Sequence, residues 1–217
     1  MRRLMTVVLL LGVASLLGAA DDEPLMVRFK KEDLGKTPAG WKADQTGKGE
    51  GSIWKVVADE TAPSKSGYVV AQTAEGPSPV FNLCVAEKGK YQDVELSVAF
   101  KAIKGKIDQG GGMVWRYKDA NNYYIARLNP LEDNYRVYKV IDGKRGQLDT
   151  AKDLKVKAGE WHTLKVVHKG NKIECFLDGK SILKAEDDAF KEAGQVGLWT
   201  KADAQTYFDD FQAKPLK

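Results

Sequence analysis

The densest concentration of ligand-binding chemistry lies between Gln109 and Asn129, where aromatic, guanidinium and amide side chains recur in two strand-like runs joined by Lys118-Asp119-Ala120-Asn121. If the turn takes those four residues, Arg116 pairs opposite Tyr123 and Trp115 opposite Tyr124, because cross-strand partners share a face. Met113, Trp115, Tyr124, Ala126 and Leu128 then form an apolar side suited to a core. Arg116, Tyr123, Arg127 and Asn129 gather on the other side beside Val114 and Ile125, with Gln109 and Tyr138 as neighbours. Flat rings stack on the C–H face of a pyranose while Arg, Asn and Gln hydrogen-bond its hydroxyls, so this set is a candidate carbohydrate platform. The same residues also suit a sheet face whose cross-strand pairs simply keep it solvated. The turn between Asn129 and Tyr135 does not fix the next register, so parity leaves Tyr135 and Tyr138 as alternatives for the platform. Gly110 to Gly112 either let a ligand approach the backbone closely or make a flexible strand entry.

Catalytic chemistry is sparse by comparison. His162 and His168 are the only histidines, and both share strand parity with Leu164 and Val166. No serine sits in an elbow motif beside them, and no cluster has metal-ligand spacing. Glu132-Asp133 falls in a turn, Glu174 stands alone in its strand and Glu95 is flanked by Val94 and Leu96, so no carboxylate pair has the spacing of a glycoside-cleaving site. Cys84 and Cys175 lie far apart in strand-like segments, and either bridge or serve separately as small buried apolar residues.

The elements that must position these side chains are strands. Tyr68–Gln72, Val94–Phe100 and Trp161–His168 alternate with period two. Asp142-Gly143 and Asp178-Gly179 each separate two such runs, and Asp-Gly favours the positive φ values of a tight type I′ hairpin. A short helical turn is expected near Asp187–Glu192, but no amphipathic helix is long enough to cover a sheet, which leaves sheet-on-sheet packing. The fold class expected is therefore all-β, a two-sheet antiparallel sandwich in one domain over residues 21–217. Residues 35–52, rich in Gly, Lys and Thr, read as a long surface loop with Trp41 and Trp54 as anchors.

Arg2-Arg3, the apolar run Met5–Leu17 and Gly18-Ala19-Ala20 ahead of Asp21-Asp22-Glu23 have the pattern of a secretory signal peptide over residues 1–20. The expected location is extracytoplasmic in a bacterium, periplasmic or secreted, with no membrane span after cleavage. Cleavage would remove Arg2 and Arg3 from the 34 Lys and Arg side chains, leaving 32 against 30 acids, mixed in sign along the chain. Without a basic block interleaved with aromatics, nucleic acid is not an expected partner.

Gly112-Met-Val-Trp-Arg-Tyr117, Asn121-Asn-Tyr-Tyr-Ile-Ala-Arg-Leu128, Gly159-Glu-Trp-His-Thr-Leu-Lys-Val166, Phe176-Leu-Asp-Gly179, Gly197-Leu-Trp-Thr-Lys-Ala-Asp203 and Phe208-Asp-Asp-Phe211 occur in this order. Together they resemble the concanavalin A-like lectin and glucanase group. More narrowly they resemble exported bacterial domains of the 3-keto-disaccharide hydrolase-like, glycoside-hydrolase-16-like type, from about Phe29 to the C-terminus. The resemblance implies a jelly roll with a curved face that relatives use to hold oligosaccharides. Two departures bear on activity: the Glu-x-Asp-x-x-Glu strand of the glucanases is missing, and Gly110-Gly111-Gly112 stands where keto-sugar hydrolase relatives commonly carry Asn-Ser-Gly. The resemblance also implies that Asp209 or Asp210, with Asp203 as a further ligand, contributes to a structural Ca²⁺; the alternative is one solvent-facing acid and one strand cap. Trp161 is expected in the core, whereas Trp199 is either core or platform. The functional expectation is a carbohydrate-binding domain. Its alternatives are a glycoside hydrolase acting on glycosides or 3-keto-sugars, and a cell-envelope structural or adhesion domain without sugar binding.

Overall fold

The computed structural model describes residues 23–217, so the expected signal segment lies outside the described residues. Among the described residues fifteen strands follow one another. The first half comprises β1 (Leu25–Val27), β2 (Trp41–Thr46), β3 (Trp54–Ala58), β4 (Tyr68–Gln72), β5 (Phe81–Ala86), β6 (Val94–Lys104), β7 (Gly111–Asp119) and β8 (Asn122–Asn129). The second comprises β9 (Asn134–Ile141), β10 (Lys144–Ala151), β11 (His162–Lys169), β12 (Lys172–Leu177), β13 (Lys180–Glu186), β14 (Gln195–Lys201) and β15 (Gln205–Pro215). They build two antiparallel sheets: an eight-stranded one ordered β13-β12-β11-β6-β15-β4-β3 with β1 added to β15, and a seven-stranded one ordered β10-β9-β8-β7-β14-β5-β2.

Period two places the core. Val94, Leu96, Val98 and Phe100 of β6, with Leu164 and Val166 of β11 and Phe208 of β15, meet Met113, Trp115, Tyr124, Ala126, Leu128 and Leu198 from the facing sheet. The apolar face expected from β7 and β8 is therefore the core face. Asp142 and Gly143 (φ 50° and 75°) and Asp178 and Gly179 (φ 49° and 80°) take the left-handed conformations that a type I′ hairpin needs.

Four local expectations are corrected, and the cysteine alternative is decided. Within residues 35–52, Trp41–Thr46 forms the edge strand β2 rather than a loop, paired along β5. The Asp187–Glu192 turn is irregular; the described 3₁₀ turns are at Lys31–Asp33 and Pro130–Glu132. The β7–β8 connection has only Ala120 and Asn121 at its tip, since Asp119 pairs with Asn122, and the surplus residues are absorbed by a bulge where Arg116 adopts φ 44°. Trp161 is half-buried outside the core, its indole N–H donating to Thr61 Oγ1 at 2.9 Å with the Lys101 ammonium 4.6 Å from its ring centre. Cys84 on β5 and Cys175 on β12 are both free and buried in the core, contributed by opposite sheets.

Candidate functional site

A second apolar cluster lies on the outer side of the seven-stranded sheet, formed by Phe81, Leu83 and Val85 of β5, Val114 and Tyr117 of β7, Tyr123 and Ile125 of β8, Tyr138 and Val140 of β9 and Trp199 of β14. Its burial follows from the curl of the sheet. On a flat sheet, β2 and β8 are four strand spacings apart, about 19 Å. Yet Thr46 at the end of β2 hydrogen-bonds both Tyr123 Oη and the Ala120 carbonyl, and Tyr117 Oη donates to Asp44 on β2 at 2.5 Å. Arg145 of β10 reaches across the same curve, its guanidinium carbon 4.4 Å from the Tyr138 ring centre, 5.2 Å from Phe81 and 6.0 Å from Trp199. Burial raises the Tyr123 phenol far above its ordinary range, and burial with the Asp44 carboxylate does the same to Tyr117, so both are neutral donors.

One corner of this curved face carries a charged network. Arg127 is 1% exposed and bridges two carboxylates, with Nη1 3.4 Å from Asp108 Oδ2 and Nη2 2.9 Å from Glu132 Oε2. It also donates to Asn134 Oδ1 at 3.1 Å. Arg136 meets the same Glu132 oxygen at 3.1 Å and reaches Tyr138 Oη at 3.4 Å. Lys201 lies 3.7 Å from Asp108, and Asn129 donates to that carboxylate at 3.2 Å. Asp108 is held at its post from both sides: its Oδ1 accepts the Gly110 N–H at 2.7 Å, while Asp203 accepts the backbone N–H groups of Lys106, Ile107 and Asp108.

The two carboxyls differ in proton affinity. Burial pushes Asp108 above its ordinary value, with the Arg127 charge opposing that rise. Burial acts in the same sense on Glu132, but hydrogen bonding from Asn134 and the charges of Arg127, Arg136 and Lys201 outweigh it and hold this carboxyl below its ordinary value. The network is closed beneath and open at its rim, where the side chains of Glu132, Arg136 and Lys201 keep 36%, 26% and 19% of their surface.

The structure brings together Tyr123, Arg127, Asn129 and Tyr138 from the expected platform. Tyr138 pairs with Ile125 and belongs to the curved face, whereas Tyr135 pairs with Leu128 and enters the main core. Gln109 is half-buried beside Asp108, its amide 3.4 Å from the Gly105 carbonyl. Arg116 is corrected: the bulge turns it away from Tyr123 to the opposite end of the sandwich. There it donates to the carbonyls of Gln92, Phe190 and Gly170 and to Asp93. A cleft of about 760 Å³ opens beside it, lined in part by Lys90, Lys118 and Lys191, but the guanidinium is occupied by these structural bonds. The expected platform is also not a flat exposed surface, since Tyr123, Arg127 and Asn129 are almost wholly buried.

The glycine triplet has a packing reason. A Cβ on Gly110 would lie 3.0 Å from Arg127 Cδ, one on Gly111 would meet Phe100 and Phe208 at 2.9 Å, and one on Gly112 would fall 1.9 Å from the Ala126 carbonyl oxygen. Sequence reading missed Asp108, Glu132, Arg136, Arg145 and Lys201. Arg136 and Tyr138 share strand parity, a usable signal once the register of β9 is known; Asp108 and Glu132 sit in turns, where parity is silent.

The acids considered for calcium do not converge. Asp209 is buried, with Oδ2 accepting the Ser64 N–H at 2.8 Å, while Asp210 faces Arg28 at 3.4 Å and Asp203 is committed to three backbone N–H groups. Among the described residues no group of three His, Cys, Asp or Glu side chains is placed to hold a metal. Neither histidine joins the curved face: His162 pairs with Asp178 at 2.8 Å and His168 accepts the Trp115 indole N–H at 2.8 Å inside the main core.

This sandwich, with a charged and aromatic site on one curved sheet, falls in a recognised class. Residues 31–214 match the 3-keto-alpha-glucoside-1,2-lyase-like domain, and the chain belongs to that family. No curated protein sequence matches the chain. Among solved structures, the fold is shared with the carbohydrate-binding module CBM66 from Bacillus subtilis at 18% identity and a TM-score of 0.64, over 81% of this chain and 95% of that one. The exoplasmic/lumenal domain of VIP36, solved in a Ca²⁺- and mannose-bound form, superposes at 12% identity with a TM-score of 0.59 over 90% of each chain. A Bacillus subtilis protein of galectin-like fold matches at 11% identity and a TM-score of 0.53, over 88% of this chain and 98% of that one.

Proposed function

We propose that the protein binds an oligosaccharide at the rim formed by Arg136, Glu132, Lys201 and Arg145. One observation carries this reading: a network of guanidinium, amide and carboxylate groups, closed beneath, opens to solvent at Glu132, Arg136 and Lys201 beside Tyr138. Such a rim offers donors and acceptors to the hydroxyls of a sugar, and the buried Tyr138 and Trp199 rings beneath Arg145 hold that side chain in place. The fold shared with a carbohydrate-binding module and with a mannose-bound lumenal domain supports the same direction. Calorimetric titration of a neutral and acidic oligosaccharide panel, with and without Ca²⁺, tests it. Arg136→Ala is expected to weaken binding about tenfold or more, the worth of one hydrogen bond to a charged group. Affinity unchanged in Arg136→Ala would move the binding surface elsewhere.

Catalysis on a 3-keto-glucoside is the second reading, favoured by family membership and by the Asp108/Glu132 pair. Two carboxyls on one guanidinium, one raised and one lowered in proton affinity, are the arrangement from which an acid and a base are drawn. Product analysis with a 3-keto-α-glucoside decides it: turnover abolished in Glu132→Gln assigns the reaction to this pair, and no turnover by the unaltered protein removes it. We further propose that the chain is exported, on the residue 1–20 pattern. N-terminal sequencing of protein from a bacterial envelope fraction should begin near Asp21.

A further inference from the structure

Arg145 stands apart from the other cations of the site. Arg127 and Arg136 are each bound to Glu132, and Lys201 lies against Asp108. The Arg145 side chain makes no ion pair or hydrogen bond among the described residues, and its Nη1 is shut away from solvent without a partner. Its faces are engaged, since Tyr138, Phe81 and Trp199 lie 4.4 to 6.0 Å from the guanidinium carbon. A guanidinium, however, carries its five N–H donors in its own plane, and rings stacked on its faces satisfy none of them. The group is desolvated: burial lowers its proton affinity, and the Arg127 charge adds to that effect. The two nearby carboxylates favour its charge from a distance but do not pair with it, because Asp108 and Glu132 are already shared among Arg127, Arg136 and Lys201. Four cations thus meet two acids at this corner, and the cation without a counterion is the one lying over the aromatic floor.

We propose that the saccharide taken by this rim is acidic, a uronic-acid sugar whose carboxylate pairs edge-on with Arg145. The inference depends on the carbohydrate reading above and narrows it to a substrate class. Two carboxylate oxygens match two parallel guanidinium N–H groups, so the contact is directional as well as coulombic. Neutral sugars leave the same donors with hydroxyl oxygens alone.

The experiment is calorimetric titration of the full chain with a glucuronate-terminated disaccharide and with its glucose-terminated counterpart, at two ionic strengths. The acidic sugar is expected to bind about tenfold more tightly, with an advantage that shrinks as salt rises. Arg145→Gln should abolish that ratio, and Arg145→Lys should keep part of it, because an ammonium preserves the charge without the fork. Thermal unfolding verifies that both variants are folded, as expected of a half-buried side chain with no polar partner to strand. Equal affinity for the two sugars, or an acidic preference that survives in Arg145→Gln, overturns the inference while leaving carbohydrate binding intact. If neither sugar nor any other member of the panel binds the folded chain, the carbohydrate reading fails together with it.

Discussion

At the scale of single residues, charge and burial are in tension at two places. Arg127 and Asp108 are both essentially buried, and removing one partner leaves an uncompensated ion in the interior. Arg127→Met should therefore destabilise the fold by about 3–5 kcal/mol, read as a lower unfolding midpoint in denaturant; a loss below about 1 kcal/mol would show that Lys201 and Asn129 suffice for Asp108. His168 supplies the second case. Burial, followed by the Arg116 charge, lowers its pKa to about 4. An unfolded histidine titrates near 6.5, so the unfolded chain binds more protons between those values and the folded state loses stability as pH falls through that window, in total on the order of 3 kcal/mol. Above pH 6.5 the contribution is complete. His168→Asn retains an acceptor for the Trp115 indole, and its stability should be flatter across that window than that of the unaltered protein. Asn129 and Arg127 were legible as candidates from their type and parity. Asp108 was not, because its importance comes from a guanidinium 19 positions later in the chain.

The decisive element is β7 with the glycine that precedes it, where three glycines open a strand that ends in a bulge. Gly112 marks the closest approach: a methyl group there would run into the backbone of β8, which cannot retreat without breaking the ladder. Gly112→Ala should cost about 3 kcal/mol or more, lowering the Tm by roughly 6–12 °C in a chain of this size. A variant that melts within 2 °C of the parent would mean that β7 and β8 separate more easily than the packing implies. The bulge explains why register reasoning succeeded up to Trp115 opposite Tyr124 and failed one residue later. Alternation holds along a regular ladder; the two surplus residues of β7 break it, and nothing in Arg116-Tyr117-Lys118 announces the break. The Asp-Gly hairpins were legible because their chemistry is local: two positive φ values need residues that tolerate them.

At the scale of the whole molecule, two sheets enclose one core and the curl of the seven-stranded sheet encloses another. Cys84 and Cys175 occupy the first core on opposite sheets, and burial raises both thiols well above their ordinary range. Neither should react with a thiol reagent in the native protein, both should react in denaturant, and a reductant should leave the Tm unchanged; a reductant-sensitive Tm would place a disulfide in the molecule. The sequence by itself determined the all-β class, the core face of β7 and β8, the two Asp-Gly hairpins and the family, because period-two burial and turn chemistry are short-range properties written residue by residue. Tertiary structure alone decided that the polar face curls inward, that Arg116 leaves it, and that Asp108, Glu132, Arg136, Arg145 and Lys201 meet there. Those residues come from two loops and three strands, and what joins them is sheet curvature, a sum of small twists over seven strands that no single segment encodes.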